Sequence, residues 1–242
     1  MVSALFWGSI AGASLIIGGL LALFLPISKR LNGLIMAFGA GVLISAISFE
    51  LVEEAVRTSA GSGGVAAGLF AGAMTFYGGD LLIDRLGGVQ RKSSSGEQAS
   101  GSALPIVLGT VLDGIPESIV LGLSLLSGEI SISILAAIFI SNIPEAIAGT
   151  KGLDQACWPH GRIMGMWGAV ALLSTLAAVA GYTVFASAAP STIAFVQAFA
   201  GGALLTMLAD TMMPEAFEFG GKEVGLLTTL GFAVAFALRL LE

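Results

Sequence analysis

The feature that most constrains this chain is a succession of long apolar runs, each bounded by Gly, Pro or charge. They predict eight spans, at roughly 4–25, 31–52, 65–86, 104–127, 130–150, 162–185, 191–213 and 222–241, each near the length that crosses a hydrocarbon core. The runs are continuous rather than alternating with period two, which excludes a transmembrane β-barrel. Charged residues make up 11% of the 242, against about 25% in a soluble domain. The reading is an all-α polytopic membrane protein, one transporter-sized domain over residues 1–242. The 34 glycines suit it, because small residues let helix backbones approach in lipid. Lys and Arg number 10 against 16 Asp and Glu, which excludes nucleic acid as a partner. No basic residue precedes the first run, so that segment is expected to be a mature span rather than a cleaved signal. The single cysteine, Cys157, leaves no intramolecular disulfide.

The links are short except 85–103, a Gly/Ser-rich polar stretch expected to be a flexible cytoplasmic loop. With the N-terminus outside, Lys29, Arg30, Arg85, Arg91, Lys92, Lys151, Arg162 and Lys222 face the cytoplasm, and only Arg57 and Arg239 lie outside. That bias predicts both termini outside a cell (inner) membrane.

The first three spans echo the last three. Trp7-Gly8 matches Trp167-Gly168, the segment from Ala37 to Leu43 matches that from Ala198 to Leu204, Glu54-Ala55 falls on Glu215-Ala216, and Gly72 meets Gly231. The matched spans run in opposite directions, so the expectation is an inverted repeat in a 3+2+3 arrangement. By that symmetry Gly41 and Gly202 are expected on segments that slide past spans four and five.

Spans four and five form their own pair, Asp113-Gly114-Ile115-Pro116-Glu117 against Ser141-Asn142-Ile143-Pro144-Glu145. Each proline lacks an N–H and frees the carbonyl four residues earlier, at Leu112 and Ile140. Freed backbone at membrane depth has to be buried in protein or line a cavity. Asp113 and Glu117 share a helix face, as do Ser141 and Glu145, and Asn142 adds an amide oxygen. An acid near the bilayer centre costs on the order of 3 kcal/mol. No Lys, Arg or His lies in either predicted span, so a bound cation, protons, or both must offset the charge. A protonated, hydrogen-bonded glutamate would explain one acid, whereas two matched Pro-Glu elements favour a cation site.

These paired I-P-E elements resemble those of the ZIP (Zrt-, Irt-like protein) family of divalent metal transporters, bacterial-type. Its fourth span typically reads H-N-x-P-E-G, and its fifth often the same or a close variant. Spans two and seven also resemble family segments, so the likeness covers essentially the whole chain. It implies eight spans with outside termini, a mid-membrane metal site, often binuclear, and movement into the cytoplasm. Carried over by position, the fourth-span His falls on Asp113, the Asn on Gly114 and the Glu on Glu117. The fifth-span His falls on Ser141, the next ligand on Asn142 and the Glu on Glu145. With both motif histidines replaced, the donors are oxygens, which shifts preference from Zn²⁺ toward Mn²⁺ or Mg²⁺, with Fe²⁺ also admitted. The metal is transported substrate, and no prosthetic cofactor is implied; the lipid bilayer is the other partner, and a homodimer is an assembly this reading admits.

Secondary metal candidates are Glu54, in the acidic group Glu50, Glu53 and Glu54 at the outer end of span two, and Asp210 and Glu215 in span seven. The acidic group, beside almost no basic charge, would concentrate cations before they enter. Asp210 is expected as a transit ligand or a helix-packing partner. Cys157 and His160 offer two donors in the loop after span five, half a site at best. The rival function is an intramembrane aspartyl protease, with Asp80 in Tyr77-Gly78-Gly79-Asp80 partnering Asp113. A zinc protease is excluded because no H-E-x-x-H occurs.

Overall fold

The computed structural model describes residues 1–59, 63–85, 104–128 and 130–241. The expected flexible loop, with Arg91 and Lys92, lies outside the described residues. The described residues form helices joined by short turns, with no strand among them. In chain order the helices are α1 (Val2–Phe24), α2 (Lys29–Ala46), α3 (Glu54–Thr58), α4 (Gly64–Ile83), α5 (Leu104–Ser124), α6 (Ile132–Gln155), α7 (His160–Val184), α8 (Pro190–Met207), α9 (Met213–Gly220) and α10 (Val224–Arg239). Two π-helical segments, Ile47–Glu53 and Leu208–Met212, join α2 to α3 and α8 to α9 without a turn.

Local chemistry sets the ends. Ser28 and Ser131 cap α2 and α6, accepting from the Leu31 and Ile134 amides at 3.1 and 3.2 Å. Pro190 occupies the first turn of α8, where its missing N–H costs no helical bond. Both prolines of the central pair sit inside helices that continue past them, Pro116 in α5 and Pro144 in α6.

Seven stretches are long and apolar enough to cross a membrane, among the described residues. The chain is a multi-pass membrane protein. The last stretch, Pro190–Arg239, is 50 residues long and reverses within itself. Gly221, at φ 68°, turns the chain after α9. Arg30, at the start of α2, then meets Glu223 at 2.8 Å. Arg239 meets Glu50 and Glu53, near the other end of the same stretch, both at 3.1 Å. Thus α10 runs back along α2, and the molecule has a Pro190 side and a Gly220 side.

The helices pack in two groups: α1, α5, α6 and α7 in one, and α2–α3, α4, α8–α9 and α10 in the other. Leu15, Ile106, Ala146, Leu153, Ile163, Trp167 and Val170 form the core of the first group. Trp167 is fully buried there, its Nε1 donating to Thr150 Oγ1 at 2.7 Å. In the second group the same crossing occurs twice. A Cβ on Gly41 would fall 1.9 Å from the Thr228 carbonyl of α10, and one on Gly231 would fall 2.1 Å from the Phe38 carbonyl of α2. Between α4 and α8, a Cβ on Gly72 would fall 1.8 Å from the Phe199 carbonyl and one on Gly202 would fall 1.9 Å from the Leu69 carbonyl. Gly41 and Gly202 therefore face α10 and α4 rather than α5 and α6. They are fixed crossings, because nothing larger than hydrogen fits there.

Candidate metal centre

The central pair carries five polar side chains into the interior. Asp113 and Glu117 are each 1% exposed on α5, and Ser141, Asn142 and Glu145 are 0%, 6% and 8% exposed on α6. One helical turn separates Asp113 from Glu117, and likewise Ser141 from Glu145, so each helix presents one polar strip. The strips meet where Ser141 Oγ donates to Glu117 Oε1 at 3.4 Å, while also reaching the Ile138 carbonyl at 3.1 Å. Glu117 and Ser141 are brought into contact. No group of three or more His, Cys, Asp or Glu is close enough to hold a metal, among the described residues. The arrangement offers hard oxygen donors in a buried setting, suited to a cation that accepts carboxylate, hydroxyl and amide ligands.

A cavity of about 510 Å³ opens on the Pro190 side, lined among others by Glu50, Glu54, Thr58, Ser124, Ser131 and Gln197. Below it a void of about 10 Å³ touches Glu117. The two share Leu51, Val120 and Ile134 in their walls. An apolar neck thus stands between a polar vestibule and the buried carboxylate.

The secondary candidates scatter. Glu54 is exposed in the vestibule, accepting from Thr58 Oγ1 at 3.3 Å. The charge of its neighbours is partly offset by two arginines: Arg239 binds Glu50 and Glu53, and Arg57 binds Glu53 at 2.5 Å. Glu215 is buried on α9, a helix that packs on α2 near Gly33. Asp210 is exposed in a groove between α4 and α8 that shares no wall with the cavities near Glu117. In the α6–α7 turn Cys157 is exposed at φ 58°, and His160 Nε2 lies 3.2 Å from Asp154 Oδ1.

Asn32 went unmarked in the sequence. It is fully buried at the start of α2, and its Nδ2 donates 3.3 Å to the Pro144 carbonyl. An amide beside Lys29 and Arg30 reads as part of a wetted helix end, so only the packing of α2 on α6 reveals it.

No family model matches the chain. Over 224 residues, 90% of its length, it is 27% identical to an Arabidopsis thaliana protein named "Putative zinc transporter". The likeness is to a transporter. The chain spans about 35% of that relative's own length. The relative is named for transport rather than catalysis, and nothing in the likeness supports a protease; Asp80 itself is half-exposed on α4.

Proposed function

We propose that the chain moves a divalent metal cation across a membrane through an oxygen site formed by Asp113, Glu117, Ser141, Asn142 and Glu145. The Glu117–Ser141 contact carries the reading, because it joins two buried proline-containing helices beneath a polar vestibule. The likeness to a protein named for zinc transport supports the same class. A cation arriving through the neck draws Asp113 and Glu145 toward the Glu117–Ser141 contact, and the carbonyls freed by Pro116 and Pro144 add donors. Zn²⁺ is accepted, while the all-oxygen set favours Mn²⁺ or Mg²⁺ and also admits Fe²⁺.

Counting the two arms of Pro190–Arg239 separately gives eight spans. The reciprocal glycine crossings and the two π segments at matched positions support a 3+2+3 plan with an inverted repeat. The basic residues put the Gly220 side in the cytoplasm and both termini outside a cell (inner) membrane. Cations gather at Glu54, pass the centre, and leave past Glu215 into the cytoplasm.

Uptake of Zn²⁺, Mn²⁺ and Fe²⁺ by liposomes containing the purified protein tests this. Glu117→Ala and Glu145→Ala should each abolish uptake while thermal unfolding stays cooperative. Wild-type uptake by either folded variant removes that residue from the site.

A further inference from the structure

The two repeated crossings open into grooves that differ in what fills them. Between α2 and α10 the groove is packed by the chain itself. Phe49 stands 6.0 Å from Phe232 and 5.1 Å from Phe236, ring centre to ring centre. Arg239 lies over Phe49 at 4.9 Å and binds Glu50 and Glu53. Hydrocarbon fills the groove, and a cation closes it over acid.

Between α4 and α8 the equivalent positions carry other residues. The register that pairs Gly72 with Gly231 sets Ala73 against Phe232, Tyr77 against Phe236 and Asp80 against Arg239. The register that pairs Ala37 with Ala198 sets Asp210 against Phe49. The rings equivalent to Phe49 and Phe232 are missing and so is the cation, while Tyr77 keeps a ring where Phe236 stands. What is left is an open groove of about 610 Å³, walled by Leu69, Phe70, Ala73, Leu205, Ala209 and Asp210. Among the described residues Asp210 is exposed and has no hydrogen-bond or ion-pair partner. It lies roughly 30 Å along the helix from Pro190 at 1.5 Å per residue, about one hydrocarbon thickness, and so at the far headgroup level. Tyr77, 49% exposed on the facing helix, is a residue type enriched at that level.

We infer that this groove is a binding site for a phospholipid with a primary-amine headgroup, such as phosphatidylethanolamine. Its acyl chain takes the place that Phe49 and Phe232 hold in the filled groove, and its ammonium donates to Asp210 as Arg239 does to Glu50. A lipid fits better than a second copy of the chain, because a two-fold contact through this groove brings two Asp210 carboxylates together. It fits better than a metal ion, because the walls offer one carboxylate and otherwise mostly apolar surface.

The test needs no metal, so it stands apart from the transport reading. Delipidated protein in detergent is titrated with phosphatidylethanolamine and phosphatidylcholine of identical chains, and bound lipid is counted by native mass spectrometry. The expected result is one retained lipid with a preference of about tenfold for the amine, the ratio that one charge-assisted hydrogen bond supports. Asp210→Asn should bring the ratio near one, and Ala73→Phe should displace either lipid. If Ala73→Phe does not fold, Leu205→Trp fills the same groove. Equal binding of the two lipids by the wild type overturns the site. So does a preference that survives Asp210→Asn, or a dimer whose formation Ala73→Phe abolishes.

Discussion

Glycine is used differently within the helix groups and between them, and the difference shows where the packing is tightest. Inside each group, backbones touch. A Cβ on Gly18 of α1 would lie 2.6 Å from the Ile143 carbonyl of α6, and one on Gly122 of α5 would lie 2.1 Å from the Ala178 carbonyl of α7. The crossings at Gly41, Gly72, Gly202 and Gly231 are as close. Between groups the approaches are looser. A Cβ on Gly79 of α4 would meet the Leu112 side chain of α5 at 3.0 Å, and one on Gly39 of α2 would lie 3.4 Å from the Ser141 Cα of α6. Side chains can slip past each other where locked backbones cannot. The five central polar residues all belong to the α1–α5–α6–α7 group, while Glu54, Asp210 and Glu215 belong to the other. The seam between the groups is therefore the surface along which the proposed site can shift as a unit.

The largest effect should come from filling a crossing inside a group. Gly41→Leu forces side-chain carbon into the Thr228 carbonyl, an overpacking that costs at least about 1–3 kcal/mol and separates α2 from α10. The expected outcome is little monodisperse protein on size exclusion in detergent. Gly39→Ala, on the seam, meets the Met212 side chain at 3.2 Å and should fold, with uptake slowed. Normal uptake by a well-folded Gly41→Leu would show that the groups are not locked units.

A second effect concerns ion choice rather than folding. Asp113→His puts a nitrogen donor into an oxygen set, so Zn²⁺ should compete better against Mn²⁺ in uptake than it does in the wild type. The same change at Asp210 should leave the competition unaltered, because that residue faces the outer groove. Identical profiles at both positions would mean that Asp113 does not contact the cation.

Much of this contrast was legible in the residues. The apolar runs marked the helices, and the paired Pro-Glu elements marked the two that hold the polar strips. Facing was harder. Asp210 falls in an apolar run, which suggests an interior role, but the π turn at Leu208–Met212 shifts the helical phase and leaves it outward. The basic charge beside the acidic mouth was hidden, because Arg239 is far along the chain from Glu50 and only the reversal at Gly221 brings it back. Asn32 could be recognised only once α2 was seen against Pro144.

Asn32 also offers a smaller perturbation of the seam. Its bond to the Pro144 carbonyl and the bond from Lys151 Nζ to the Ile27 carbonyl both tie α6 to the Gly220 end of α2 and its preceding link. Asn32→Ala removes a bond worth about 1 kcal/mol, close to fivefold in an opening equilibrium. In a Cys157→Ser background, a cysteine replacing the buried Ala148 should then be alkylated several times faster. An unchanged rate would mean that this tie does not hold the seam shut.

The smallest effect is expected at the opposite end of α2. Arg239 neutralises two glutamates near the vestibule, its side chain 25% exposed and stacked over Phe49. Arg239→Ala withdraws one positive charge from beside Glu50 and Glu53, with Arg57 still on Glu53, and so adds negative potential where Glu54 already stands. Uptake should show a lower KM by a few-fold at low salt, with kcat nearly unchanged, since nothing at Glu117 is touched. The gain should fade as ionic strength rises, because the screening length falls to roughly 3 Å at 1 M. A matching change in kcat would place Arg239 in the moving machinery of the seam. A KM that rises at low salt would mean that the cation does not approach through this vestibule.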